Sequence, residues 1–369
     1  MQMQMQMQMQ ISTESSMESS MESATESFWK GKSSICTTES PLYRLQVMSS
    51  SQLQLSSQRI TELEQFIMNT FQPPIIINIS KQSVTDIWCI ALAKSDLKII
   101  ACIRFSEYGK YYRDKNGQHN GQHNNQINTE VIHLIDCFCI SKEYRKKGLA
   151  SKMLIMLREY TAGNNNSIFL KESAPVYSPY TFPTYSSYYR FASSSDIIRA
   201  SPLGFPTSPS ASPPISNIIE LYPNTPLFNS IIKSYQMIYK NTFIITCNNS
   251  RYLYWKSSII GTGEWLLMAL KDSYQIHPIN NRKIGWISGC IFSPTLSHEK
   301  HNEIFMLILY HIAKENIFGW FWIDSIFISG SDLCGNIWKI DGEFHWYLYG
   351  WNTKKQFNNQ YVTKYGYLI

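Results

Sequence analysis

At 369 residues the chain is long enough for two domains with substantial cores, and 44% hydrophobic with 14% aromatic residues excludes disorder for most of it. Its formal charge of +6 is too diffuse for a nucleic-acid-binding protein but suits a phosphate-bearing ligand. Eight scattered cysteines with no CxxC pair and no secretory signal point to a reduced, cytoplasmic chain.

The Met-Gln and Ser-Glu repeats of residues 1–27 cannot bury surface and predict a disordered tail. Tyr43 to Met48 alternates apolar and polar positions as a half-buried strand does. Ser57 is placed to cap a helix whose apolar face uses Ile60, Leu63, Phe66, Ile67 and Phe71. Ile87 to Ala93 and Leu97 to Phe105 read as a hairpin turning at Lys94–Asp96. The Asn-Gly-Gln-His repeat at 116–123 lies in a polar stretch and reads as a long loop, not a metal site.

Val131 to Ile140 is an apolar strand, and its Cys137 and Cys139 alternate onto one side, where packing is the preferred role. A basic turn follows, then a helix bearing Leu149, Met153, Met156 and Leu157. The Ser/Pro-rich stretch 193–216 reads as a linker between domains spanning 28–192 and 217–369.

Beyond it the order recurs, with a helix over 227–238, strands over 265–270 and 284–292, a helix over 303–314, and strands over 319–325 and 344–351. Each half therefore predicts an α/β (α+β) unit with a mixed, largely antiparallel sheet and flanking helices. The most apolar stretch, 304–312, is too short to cross a membrane, so no integral membrane association is expected. His298-Glu-Lys-His301 misses the spacing that places two histidines on one helix face, so no metal is expected.

The turn Arg145-Lys-Lys-Gly148-Leu-Ala150 joins a strand to a helix. A glycine there lets backbone approach a phosphate, the helix N-terminus offers unpaired N–H groups, and Arg145, Lys146 and Lys147 add positive charge. It is neither a Walker A loop nor a GxGxxG fingerprint.

The segment Cys139 to Ala150 resembles the acyl-CoA pyrophosphate motif of the GNAT superfamily. Three further segments resemble the eukaryotic-type N-myristoyltransferase family: Phe28-Trp29-Lys30, the aromatic strand Asp341-Gly-Glu-Phe-His345-Trp-Tyr-Leu-Tyr-Gly-Trp351, and the tail Lys364 to Ile369. The resemblance implies a duplicated GNAT-like fold and a monomer that transfers a myristoyl group from myristoyl-CoA, as co-substrate, to the N-terminal glycine of proteins. No permanently bound cofactor is implied.

It places the oxyanion-stabilising backbone amides on Cys137 and Phe138. Further acyl-CoA contacts fall on Phe28, Trp29, Cys139, Ile140, Arg145, Lys146, Lys147, Gly148, Leu149 and Ala150. The base is the terminal carboxylate of Ile369. Ala174 stands where the family has a threonine that helps hold the substrate glycine, and Val176 where it has a glycine. His345 lies on the strand expected to line the peptide groove. Two other readings are an acetyl-CoA-dependent N-acetyltransferase and a catalytically silent acyl-CoA- or peptide-binding descendant.

Overall fold

The structure is a computed structural model that describes residues 36–54, 56–71, 74–81, 83–113, 128–161, 166–172, 181–204, 217–238, 243–259, 261, 263–324, 337–349 and 366–368. The expected tail (1–27) and the Asn/His-rich repeat (116–123) lie outside these residues.

The first half comprises β1 (Cys36–Glu39), β2 (Tyr43–Ser49), α1 (Ser50–Leu53), α2 (Ser57–Thr70), β3 (Ile87–Ala93), β4 (Ile99–Arg113), β5 (Asn128–Ile140), α3 (Leu149–Tyr160), β6 (Ser167–Glu172) and β7 (Thr181–Ser193). Ser56, not Ser57, caps α2, its hydroxyl accepting a 3.3 Å bond from the Arg59 amide. Ile60, Leu63 and Ile67 recur at helical spacing and pack on Trp88, Ile90 and Leu92 of β3. Leu63 and Ile67 are wholly enclosed, so each contributes about 1.5–3 kcal/mol of burial free energy.

The second half comprises α4 (Ser194–Gly204), β8 (Ile218–Leu221), α5 (Pro226–Ile238), β9 (Phe243–Cys247), β10 (Arg251–Lys256), β11 (Trp265–Ile276), β12 (Lys283–Phe292), α6 (His298–Lys314), β13 (Trp320–Asp324), β14 (Lys339–Tyr349) and β15 (Gly366–Leu368). Helix α6 begins five residues earlier than its apolar periodicity suggests, because the Ser297 hydroxyl caps it by accepting from the Lys300 amide. Part of the segment expected to be an open linker is helical. Helix α4 is held by buried Ile197 and by the Ser194 hydroxyl donating to the Phe318 carbonyl at 2.7 Å.

The two sheets run together as one, in the order β2-β3-β4-β5-β6-β14-β7-β13-β12-β11-β10-β8. The halves are laced by exchange, since β14 inserts between β6 and β7 while β7 also pairs with β13. β9 adds to the far part of β4, and β15 lies parallel to β9. At that joint a Cβ on Gly109 would lie 1.6 Å from the Thr246 carbonyl oxygen, so only glycine allows the close approach.

A repeat is visible in the topology. An antiparallel pair, a crossover helix and a parallel strand occur as β4-β5-α3-β6 and again as β11-β12-α6-β13. Each copy bends its second strand at an extra residue: at Cys137–Phe138 in β5, and at Ser288 in β12. The mixed, largely antiparallel α/β architecture with flanking helices is the one the sequence predicts. Among the described residues no helix is long and apolar enough to cross a membrane.

Candidate functional site

The β5 bulge follows from register. Cys102 faces Cys139 and Arg104 faces Asp136, so Ile103 alone on β4 opposes both Cys137 and Phe138. Cys137 takes a left-handed φ of 49°, which re-aims the backbone there. Among the described residues β6 pairs with β5 only through His133↔Ser167 and Leu134↔Ile168, so the strand from Ile135 onward runs past the end of that pairing. The bulge therefore lies where β5 and β6 part.

The sulfur atoms beside it are packing groups. Cys102 donates to the Cys137 carbonyl at 3.2 Å and lies 3.3 Å from the Cys139 sulfur, within one apolar cluster. Burial pushes the Cys102 and Cys137 thiols well above their ordinary range, leaving them protonated and unsuited to attack.

Beyond Ile140 the chain makes the basic turn. The Ser141 amide donates to the Ile100 carbonyl at 2.8 Å, and Arg145 Nε donates back to the Ile140 carbonyl at 2.9 Å, which fixes the turn's approach to β5. Lys146 and Gly148 both have positive φ, 61° and 72°. Gly148 is the N-cap of α3 and supplies no side-chain cap, so the positive end of the helix dipole is not covered by a capping side chain of that residue. Arg145, Lys146, Lys147 and Gly148 are exposed, Leu149 is buried to anchor the helix, and Ala150 is half-buried. An exposed, cation-bearing, uncapped helix start is the chemistry a pyrophosphate requires.

A cavity of about 320 Å³ opens at the bulge, with Cys137 and Phe138 on its wall. β4 and β5 of the first half and β11 to β14 of the second both line it. Its charged centre is Arg104, whose side chain is 4% exposed. The guanidinium donates through Nε to Asp136 Oδ1 at 2.7 Å and through Nη2 to Oδ2, a bidentate pair, and Asp86 Oδ2 lies 3.7 Å from Nη1. Burial pushes the Asp86 carboxyl up to about 6 against the opposing pull of Arg104.

Lys271 of β11 also lines the cavity. Its ammonium lies 3.9 Å from the Trp286 ring centroid and 4.3 Å from that of Tyr108. The side chain keeps some surface toward the cavity, yet enough protein encloses the charge that burial pulls its pKa down to about 8. Past Asp272, β11 leaves the ladder with β12, and Tyr274 takes a φ of 61° while its carbonyl accepts from the Ile76 amide at 2.8 Å.

The structure thus brings Cys137, Phe138, Cys139, Ile140 and the turn 145–150 onto one strand–turn–helix unit. His345 is not part of the cavity wall: it sits half-buried on β14 opposite Lys171 and Ser186, while its neighbour Phe344 lines the cavity. The other site residues implied by the resemblance, Phe28, Trp29, Ala174 and Ile369, lie outside the described residues, as does Val176. Arg104, Asp136, Asp86 and Lys271 are additions from the structure. For Arg104, Asp136 and Lys271 the sequence signal is a charge on an apolar run, as in Ala101-Cys-Ile-Arg104-Phe105 and Met268-Ala-Leu-Lys271, whereas Asp86, just before β3, carries none.

No protein-family model matches the chain, and no curated protein matches it in sequence. Its structure is similar to a crystal structure of Saccharomyces cerevisiae N-myristoyltransferase with bound myristoyl-CoA, with a TM-score of 0.50 and 10% identity, covering 92% of each chain. A second structure of the yeast enzyme with bound myristoyl-CoA gives a TM-score of 0.52 at 10% identity, over 90% of this chain and 87% of that one. The fold of this chain is therefore the N-myristoyltransferase fold, at 10% sequence identity to the yeast enzyme.

Proposed function

We propose that this protein is an acyl-CoA-dependent N-acyltransferase that moves a fatty acyl group, myristoyl by the resemblance, from CoA to the N-terminal glycine of protein substrates. The observation that carries this reading is the bulge at Cys137–Phe138, followed within ten residues by the uncapped, cation-bearing start of α3. Pyrophosphate at the helix start and a thioester carbonyl at the bulge would be tethered by one cofactor. Backbone amides aimed at that carbonyl can stabilise the oxyanion of the tetrahedral intermediate without any particular side chain. The fold likeness to an enzyme crystallised with myristoyl-CoA supports the same reading.

The cavity's contribution is orientation and exclusion of water. Aromatic walls from Trp286, Trp322 and Phe344 shelter the reacting carbonyl, and the Arg104–Asp136 pair holds β4 and β5 in register beneath it. On this reading the division into an acyl-CoA-binding first half and an acceptor-binding second half persists across the laced sheet.

Incubation with myristoyl-CoA and a glycine-initiated peptide tests the proposal. Thiol release should accompany a peptide mass increase of one acyl group, and the same peptide with its amine blocked should remain unmodified. Thiol release equal with both peptides, and no amide product, would mean that transfer to amines is not the reaction.

A further inference from the structure

Acyl transfer to an amine has a proton to place. The acceptor arrives as an ammonium, and only the neutral amine has the lone pair that attacks a thioester. Among the described residues, the carboxylates lining the cavity are already committed. Asp136 and Asp86 face Arg104, Glu107 accepts from the Asn248 side chain at 3.0 Å, and Asp272 accepts from Lys283 at 2.8 Å. Among the described residues Lys271 has no ion-pair partner, although it shares the cavity with all four.

We propose that Lys271 is the proton acceptor of this cavity, taking the proton of the acceptor ammonium before the amine attacks the thioester. This rests on the N-acyltransferase reading above and differs from the terminal carboxylate of Ile369 that the resemblance implies. The ammonium proton passes to Lys271 Nζ, the amine nitrogen bonds to the carbonyl carbon, and the C–S bond breaks. The second amine proton goes to the departing thiolate, leaving an amide and CoA thiol, and Lys271 returns its proton to water.

The environment supports this assignment. The groups facing Lys271 are Arg104 and Tyr108 of β4, Asp136 of β5, Cys247 of β9 and Trp286 of β12. Burial, joined by Arg104, disfavours its charge, while Cys247 and Asp136 favour it, and the balance is a pKa of about 8. An α-ammonium titrates at about 7.7–8.0, so the transfer is close to thermoneutral, which is where a general base works best. The Trp286 and Tyr108 faces receive the protonated product.

The experiment compares wild type with Lys271→Met and Lys271→Arg, measuring myristoyl-CoA affinity directly and kcat against pH with a glycine-initiated peptide. Both variants should bind myristoyl-CoA as wild type does and lose roughly 100- to 10,000-fold in kcat. Arginine keeps the charge but cannot give up its proton, so its failure separates proton acceptance from charge. The rise of wild-type kcat through pH 8 should vanish in both. Variants that match wild type in kcat and pH profile would overturn the lysine assignment and leave the acyltransferase reading standing. Wild type that binds myristoyl-CoA but acylates no amine would also overturn it, whereas wild type that binds no acyl-CoA would remove the reading on which it rests.

Discussion

Replacing Lys271 with methionine should make the protein more stable at neutral pH. A lysine whose pKa falls from 10.5 to about 8 on folding is penalised while charged, and the 2.5-unit difference corresponds to about 3 kcal/mol at 1.36 kcal/mol per unit. The sign follows from proton binding. Between pH 8 and 10.5 the unfolded chain holds this proton and the folded chain releases it, so stability rises with pH across that window. Below pH 8 the full penalty applies, and above 10.5 there is none. Methionine removes the penalty but also the two aromatic contacts, worth about 0.5–2 kcal/mol. The expected net gain is about 1–3 kcal/mol at pH 7, shrinking to zero or below above pH 10.5. Urea unfolding of both proteins at pH 7, 9 and 10.5 measures it. A variant less stable than wild type at pH 7 would refute the reasoning, because it would show the ammonium to be well solvated or paired.

Gly148→Asp should weaken CoA binding by at least tenfold in a direct titration, since it sets a negative charge at the helix start, where one lost charged hydrogen bond alone costs about 1.5–3 kcal/mol. Gly148→Ala should have a smaller effect, because a Cβ there meets no atom within 4 Å and only the left-handed φ is strained. Arg104→Met should destabilise the fold by about 3–5 kcal/mol in denaturant unfolding by leaving Asp136 and Asp86 without their cation. Asp86, raised from 3.8 to about 6, should make stability fall as pH rises from about 4 to 6, and Asp86→Asn should flatten that dependence.

How much of this was legible in the sequence differs by element. The β5–turn–α3 unit reads directly, because an apolar run, three cations and a glycine leave one simple interpretation. β7 does not, because Thr181–Ser193 is rich in serine and tyrosine with no clear alternation, and it becomes a strand by pairing with β13 and β14 from far along the chain. Helix α4 is hidden by the same kind of composition. Its cap, the Ser193 hydroxyl accepting from the Asp196 amide at 3.0 Å, is local, but its burial depends on α6. In the site, the amides of Cys137 and Phe138 came only from the family resemblance, whereas the basic turn and the start of α3 could be placed from strand and turn alone. Arg104 and Asp136 could not, since only the β4–β5 register sets them opposite one another. Lys271 stands out locally as a charge after an apolar run, but its arrival at this cavity from the other half of the molecule is set by the tertiary fold.

The most direct measurement is binding of acyl-CoA by the purified chain, followed by calorimetry across a series from CoA and acetyl-CoA to myristoyl-CoA. Saturable binding that tightens with acyl length and is weakened by Gly148→Asp is the predicted result. No binding of any member of the series, or binding unaffected by Gly148→Asp, would contradict the assignment of the bulge and basic turn as an acyl-CoA site.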